Sequence, residues 1–214
     1  MAFSETWTGT TGAAWPAGWT HVSGTSTIQT NTGRQVTAAT AYAEAWDYQT
    51  GTADGEVLAQ VQVSGNTERY VEVAARFSTA SPNTGSGYVA HFDHAGNAVI
   101  YRFNSGASAS LGTAGGAGFL TITASAWYWV RFRWEGSALS AKFWPATGGE
   151  PGSWSVTATD STYSAAGVVG LRTQTGNTTG ALTFNWDDLT YATVGALPQK
   201  SILLQQAVNR SYTY

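Results

Sequence analysis

Two carboxylate pairs, three histidines and one hairpin rich in tryptophan and arginine are the residues of this chain that could do chemistry. Glu68 and Glu72 are separated by an even number of residues, so a strand would carry both on one face. Two such carboxyls could act as acid and nucleophile in glycoside hydrolysis. A strand advances about 13 Å over four residues, whereas a retaining pair needs roughly 5–5.5 Å. The two therefore read as a solvated strand face, with Arg69 and Arg76 nearby in sequence. Glu44 and Asp47 fall on opposite faces of their strand, and His21, His91 and His94 have no serine or aspartate at a recognisable motif spacing. No catalytic set emerges, and the expected class is non-enzymatic.

The hairpin runs from Trp127 towards Trp144. Tyr128, Val130, Phe132 and Trp134 alternate along its first strand and Leu139, Ala141 and Phe143 along its second, which assigns them to a core. Glu135-Gly136-Ser137 supplies the turn. Trp127 lies on the opposite face with Trp129, Arg131, Arg133, Lys142 and Trp144, and the last five are the candidate carbohydrate site. An indole can stack on a pyranose while a guanidinium donates hydrogen bonds. The same tryptophans equally suit packing beneath a loop. Asp93 with Asn97, and Asp187 with Asp188, are oxygen ligands at loop-like positions, but neither set nears the six oxygens calcium takes. No cofactor is expected.

These residues must be positioned by strands. Period-2 runs separated by Gly, Ser, Asn and Thr turns cover 55–63, 69–77, 88–93, 98–103, 119–123, 168–173 and 182–191, with a hairpin turn at His94-Ala95-Gly96-Asn97. No helix of ordinary length is expected before residue 198, so the fold class is all-β, two antiparallel sheets packed face to face. Charged residues are only 11% of the 214 and the net charge is -3, which excludes nucleic acid and an anionic membrane as general partners. The absence of cysteine removes disulfides and thiolate metal sites. MAFSETWTGTTG lacks the basic and apolar regions of an export signal, so secretion by a signal peptide is not expected.

The chain resembles the concanavalin A-like lectin/glucanase jelly roll, in its laminin G-like variety. The likeness rests on Trp127-Tyr128 followed by Arg131-Phe132-Arg133, on Lys142-Phe143-Trp144-Pro145, on Glu150-Pro151 with Trp154, and on the closing Trp186-Asp187-Asp188-Leu189. It implies a jelly-roll domain over 1–195. Glucanases of that family carry Glu-x-Asp-x-(x)-Glu on one strand, which is missing here. Similar domains recur in tail and surface proteins of phages that infect high-GC Gram-positive hosts. The resemblance thus implies a virion protein, of minor tail or capsid decoration type, with other virion proteins, copies of itself and a host glycan as partners. A free-standing lectin-like module is the alternative and a glycoside hydrolase the third reading. Residues 196–214 form a C-terminal extension in which Ile202, Leu203, Leu204, Val208, Tyr212 and Tyr214 would make an assembly arm, helix or strand. Burying its four aliphatic side chains on a neighbour is worth on the order of 6–10 kcal/mol before ordering costs.

Overall fold

The computed structural model describes residues 2–65, 68–78, 83–115, 120, 122–177 and 180–197. The strands are β1 (Phe3–Glu5), β2 (Thr20–Ser23), β3 (Thr25–Ile28), β4 (Gly33–Val36), β5 (Glu44–Thr50), β6 (Gly55–Val63), β7 (Arg69–Phe77) and β8 (Gly87–Asp93). They continue with β9 (Ala98–Asn104), β10 (Ala107–Ala114), β11 (Trp127–Glu135), β12 (Ala138–Pro145), β13 (Val156–Thr159), β14 (Val168–Thr175) and β15 (Thr183–Ala192). Sheet A runs β13-β12-β11-β6-β15-β4-β3, with β1 also paired to β15, and sheet B runs β10-β9-β8-β7-β14-β5-β2. Among the described residues the strands pair antiparallel, and the two sheets pack as the sandwich the alternation predicts.

Alternation explains the core directly. Tyr128, Val130, Phe132 and Trp134 of β11 meet Val57, Ala59, Val61 and Val63 of β6, and both face Val71, Val73 and Ala75 of β7 across the sandwich. Gly55 has no side chain because the rings of Trp134 and Tyr191 occupy that space, 2.8 and 2.9 Å from where a Cβ would stand.

Two local expectations fail for identifiable reasons. Alternation along RYVEVAARF puts Phe77 on the face of Val71, Val73 and Ala75, and it does not lie there. Arg76 takes a positive φ of 48°, the pairing to β14 shifts register there, and Phe77 turns to the opposite side of sheet B. Arg76 is freed to bind three connections: it donates to the carbonyls of Ala53, Gly136 and Tyr163 and to Asp54. The stretch around Leu120–Thr123 is not a strand at its described residues. Ile122 is buried in the core, its carbonyl accepts from Arg69, and the Thr123 amide donates to the Tyr128 hydroxyl. Side chains take the backbone bonds a ladder would have used.

Candidate functional site

Sheet B carries on its outer face a grid that its register fixes. One row reads Asp93, Tyr70, Gln174, Glu44 across β8, β7, β14 and β5. The next reads Val99, His91, Glu72, Arg172, Trp46, and the third Tyr101, Val89, Ala74, Gly170, Tyr48. The interior side of these strands belongs to the core, so alternation forces these residues outward.

Part of the grid is covered and part is open. Trp46, Ala74, Phe77, Val89, Phe103 and Val168 form a second apolar cluster on this outer face. Gly170 is required there: the Trp46 ring lies over it, 2.1 Å from where a Cβ would be. Asn83, from the β7–β8 connection, reaches onto the same face and its side-chain oxygen accepts from Arg172 at 3.0 Å. The rings of Tyr70, His91 and Tyr101 stay half-buried and form a continuous row, with centroids 5.0 and 5.4 Å apart.

Arg172 is the electrostatic centre. Its guanidinium donates to Glu72 at 2.5 Å and to Glu44 at 2.7 Å. The His91 imidazole shares a 2.6 Å hydrogen bond with the other Glu72 oxygen. Burial alone would raise the Glu72 carboxyl, but the Arg172 charge and the His91 bond overcome it and hold the group at about 2. The charges of Glu72 and Glu44 likewise raise the Arg172 guanidinium against the opposing pull of burial. Burial raises the Tyr70 hydroxyl, and Glu68, Asp93 and Glu72 push it the same way. Burial also raises that of Tyr101, with Glu72 and Asp93 adding to it. Glu72 was expected on a solvated face; instead its side chain is 3% exposed. The correction comes from β14, which sets Arg172 directly beside it.

The hairpin site predicted from sequence lies on the outer face of sheet A. Register sets Trp129 opposite Trp144 and Arg131 opposite Lys142, as the alternation requires. They do not form an open platform. Trp129 is 1% exposed and Trp144 2%, stacked at 6.3 Å with Leu58, Ala146, Ala192 and Leu197 around them. Residues 146–155 strap over the cations. Glu150, itself 1% exposed, sits 3.0 Å from Arg131 and 2.7 Å from Lys142, and Lys142 also donates to the Pro151 carbonyl. Glu56 binds Arg131 at 2.5 Å and Arg133 at 3.0 Å. Trp154 lies over Arg133 and Lys142, 5.1 and 4.8 Å from its ring centroid. Of the five predicted residues only Arg133 keeps substantial exposure, its side chain 31% accessible.

The oxygen pairs considered for calcium have other roles. Asp93 caps its own hairpin by accepting from the amides of Ala95 and Asn97 and from the Asn97 side chain. Asp187 accepts from the amide of Asp188, which sits with φ at 48° in a break of the β15–β6 register. Among the described residues no group of three His, Cys, Asp or Glu side chains could hold a metal, and no helix is long and apolar enough to cross a membrane. Asp47 points into the sandwich, where Ser26, Gln35 and His21 bond its carboxyl; burial raises it nonetheless. Ile202, Leu203, Leu204, Val208, Tyr212 and Tyr214 lie outside the described residues.

The two-sheet order is that of a concanavalin A-like jelly-roll fold. No family profile and no curated protein sequence matches the chain. Solved structures do. The carbohydrate-binding module CBM66 of Bacillus subtilis superposes with a TM-score of 0.62 at 18% identity, covering 82% of this chain and 96% of that one. The exoplasmic/lumenal domain of VIP36 with bound Ca2+ and Man2 gives 0.66 at 11%, covering 92% and 89%. The Bacillus licheniformis β-glucanase gives 0.61 at 12%, covering 90% and 98%. At such identities the likeness establishes the fold.

Proposed function

We propose that the protein is a non-catalytic glycan-binding module whose sugar site is the outer face of sheet B. The partly exposed Tyr70–His91–Tyr101 row carries this reading. Flat rings beside Gln174 and Glu44 offer stacking surface and hydrogen-bond groups together, which is what a pyranose needs. The carbohydrate-binding module and the Man2-bound VIP36 domain among the structural neighbours support it. A hydrolytic role is disfavoured by Glu72: a general acid needs a raised pKa, and this carboxyl is held at about 2 by its partners. The test is binding to an immobilised glycan array, followed by titration calorimetry. Tyr70→Ala and Tyr101→Ala should each weaken binding about tenfold or more with folding intact, and no oligosaccharide should be cleaved. Release of reducing ends from a bound polysaccharide would sink the non-catalytic reading.

One observation favours a second layer to this function. Leu197, the last described residue, is buried on sheet A in a cluster with Leu58 and Trp129, so the described chain ends on the side opposite the proposed sugar face. An arm anchored from sheet A to a neighbouring virion subunit would leave sheet B free to meet a host glycan. We propose on that basis that the module serves a phage tail or capsid surface. Light scattering of the full chain against a 1–197 truncation tests the arm: loss of self-association or of particle incorporation supports it, and two identical monomers with undiminished incorporation contradict it.

A further inference from the structure

We infer that the outer face of sheet B accepts glycans without anionic substituents and rejects carboxylated and sulfated ones. This rests on the glycan-binding reading above and adds the class of saccharide. Charge on that face is lopsided. Glu44, Glu72 and Asp93 stand in its first two rows, and Glu68 adjoins them two residues before Tyr70. Among the described residues Arg172 is the one lysine or arginine there, and it is already engaged by Glu72 and Glu44. A guanidinium that recognises a uronate or a sulfate must present an unoccupied fork. Here both carboxylate partners belong to the protein, and the Asn83 oxygen takes a further donor. An incoming anion would have to displace a buried carboxylate whose own oxygens are bonded.

The remaining acids offer little to a sugar. Asp93 spends both oxygens on its turn, and one Glu68 oxygen accepts from the Asn177 amide at 2.7 Å. They act on a ligand through their field, and that field is negative along the aromatic row: the hydroxyls of Tyr70 and Tyr101 are both raised by burial and by the surrounding carboxylates. A neutral pyranose stacks on the rings without opposing that field. One bearing a carboxylate or sulfate brings like charge beside Glu68 and Asp93.

The experiment compares matched forms of one oligosaccharide on the whole chain: neutral, C6-carboxylated and O-sulfated. In low salt the anionic forms should bind at least about tenfold more weakly, and the gap should narrow in roughly 0.5 M salt as screening grows. Glu68→Lys should narrow the same gap several-fold while leaving affinity for the neutral form within about twofold. Glu68→Gln, which retains an acceptor for Asn177, guards against a folding artefact and should move the gap in the same direction by less. Equal or tighter binding of the anionic forms overturns the charge inference and leaves glycan binding standing. A gap that neither salt nor Glu68→Lys alters overturns it as well. Failure of every form to bind overturns both.

Discussion

The outer faces of the two sheets are built from the same materials and end in opposite states. Sheet A sets Trp129, Trp144, Arg131, Arg133 and Lys142 on neighbouring strands, and sheet B sets Tyr70, His91, Tyr101, Trp46 and Arg172 likewise. On sheet A the strap 146–155 inserts Glu150 between Arg131 and Lys142, and Leu197 lies on the tryptophans. Arg131, Arg133 and Lys142 each gain a carboxylate, and the rings become a satellite core. On sheet B the ion pairs come from adjacent strands, and the tyrosine row stays partly open. Aromatic rings on a sheet face therefore stay accessible only where no strap of the chain lies over them.

The comparison breaks most sharply at Glu56. It bridges Arg131 and Arg133 with no exposure of its own, so Glu56→Ala leaves charge uncompensated in the sheet A network. We expect destabilisation of about 3–5 kcal/mol in urea denaturation, with glycan affinity of the folded fraction unaltered. Next is Gly170→Ala on sheet B. A methyl group there meets the Trp46 ring, and we expect about 1–3 kcal/mol of lost stability together with weaker sugar binding as Trp46 and Tyr48 shift. The same substitution at Gly152 of the strap, where space is open, should do neither.

Acid distinguishes carboxylates by the sign of their shift. Glu72 and Asp160 are held at about 2 against ordinary values of 4.5 and 3.8. The unfolded chain therefore binds their protons more readily, and the stability they contribute is complete above about pH 4.5 and is lost as pH falls towards 2. Asp47, raised by burial, works the other way: its contribution is present at low pH and is lost as pH rises through its folded value. The urea midpoint should drop between pH 5 and about 2.5, and Glu72→Gln should flatten that drop while lowering the midpoint at pH 7. The smallest expected effect is Tyr70→Phe. Removing only a half-buried hydroxyl should cost under about 0.5 kcal/mol of stability and weaken sugar binding a few-fold.

Alternation made the fold legible. The β11–β12 hairpin, β6 and the front of β7 all place their apolar residues where the period of two predicts, because each has one face against a continuous core. What the sequence could not show was pairing between distant strands. Glu72 reads as solvated until β14, a hundred residues later, brings Arg172 beside it. Phe77 reads as core until Arg76 adopts a positive φ, which no pattern of residues announces. The aromatic row was half visible, since Tyr70 alternates out of the core in RYVEVAARF and Tyr101 does so in AVIYRFN. Only the order β9-β8-β7-β14 joins them to Arg172. The hairpin tryptophans were read with the correct facing, but burial depended on the strap and on Leu197, both remote from the alternation that placed them.

Amide and aromatic NMR shifts recorded while a bound neutral oligosaccharide is titrated in test the central claim most directly. The account predicts perturbations concentrated at Tyr70, His91, Tyr101 and Gln174, with Trp129 and Trp144 unmoved. Perturbations centred on Trp129, Trp144 and Trp154, with the sheet B row silent, would contradict it and return the sugar site to the hairpin.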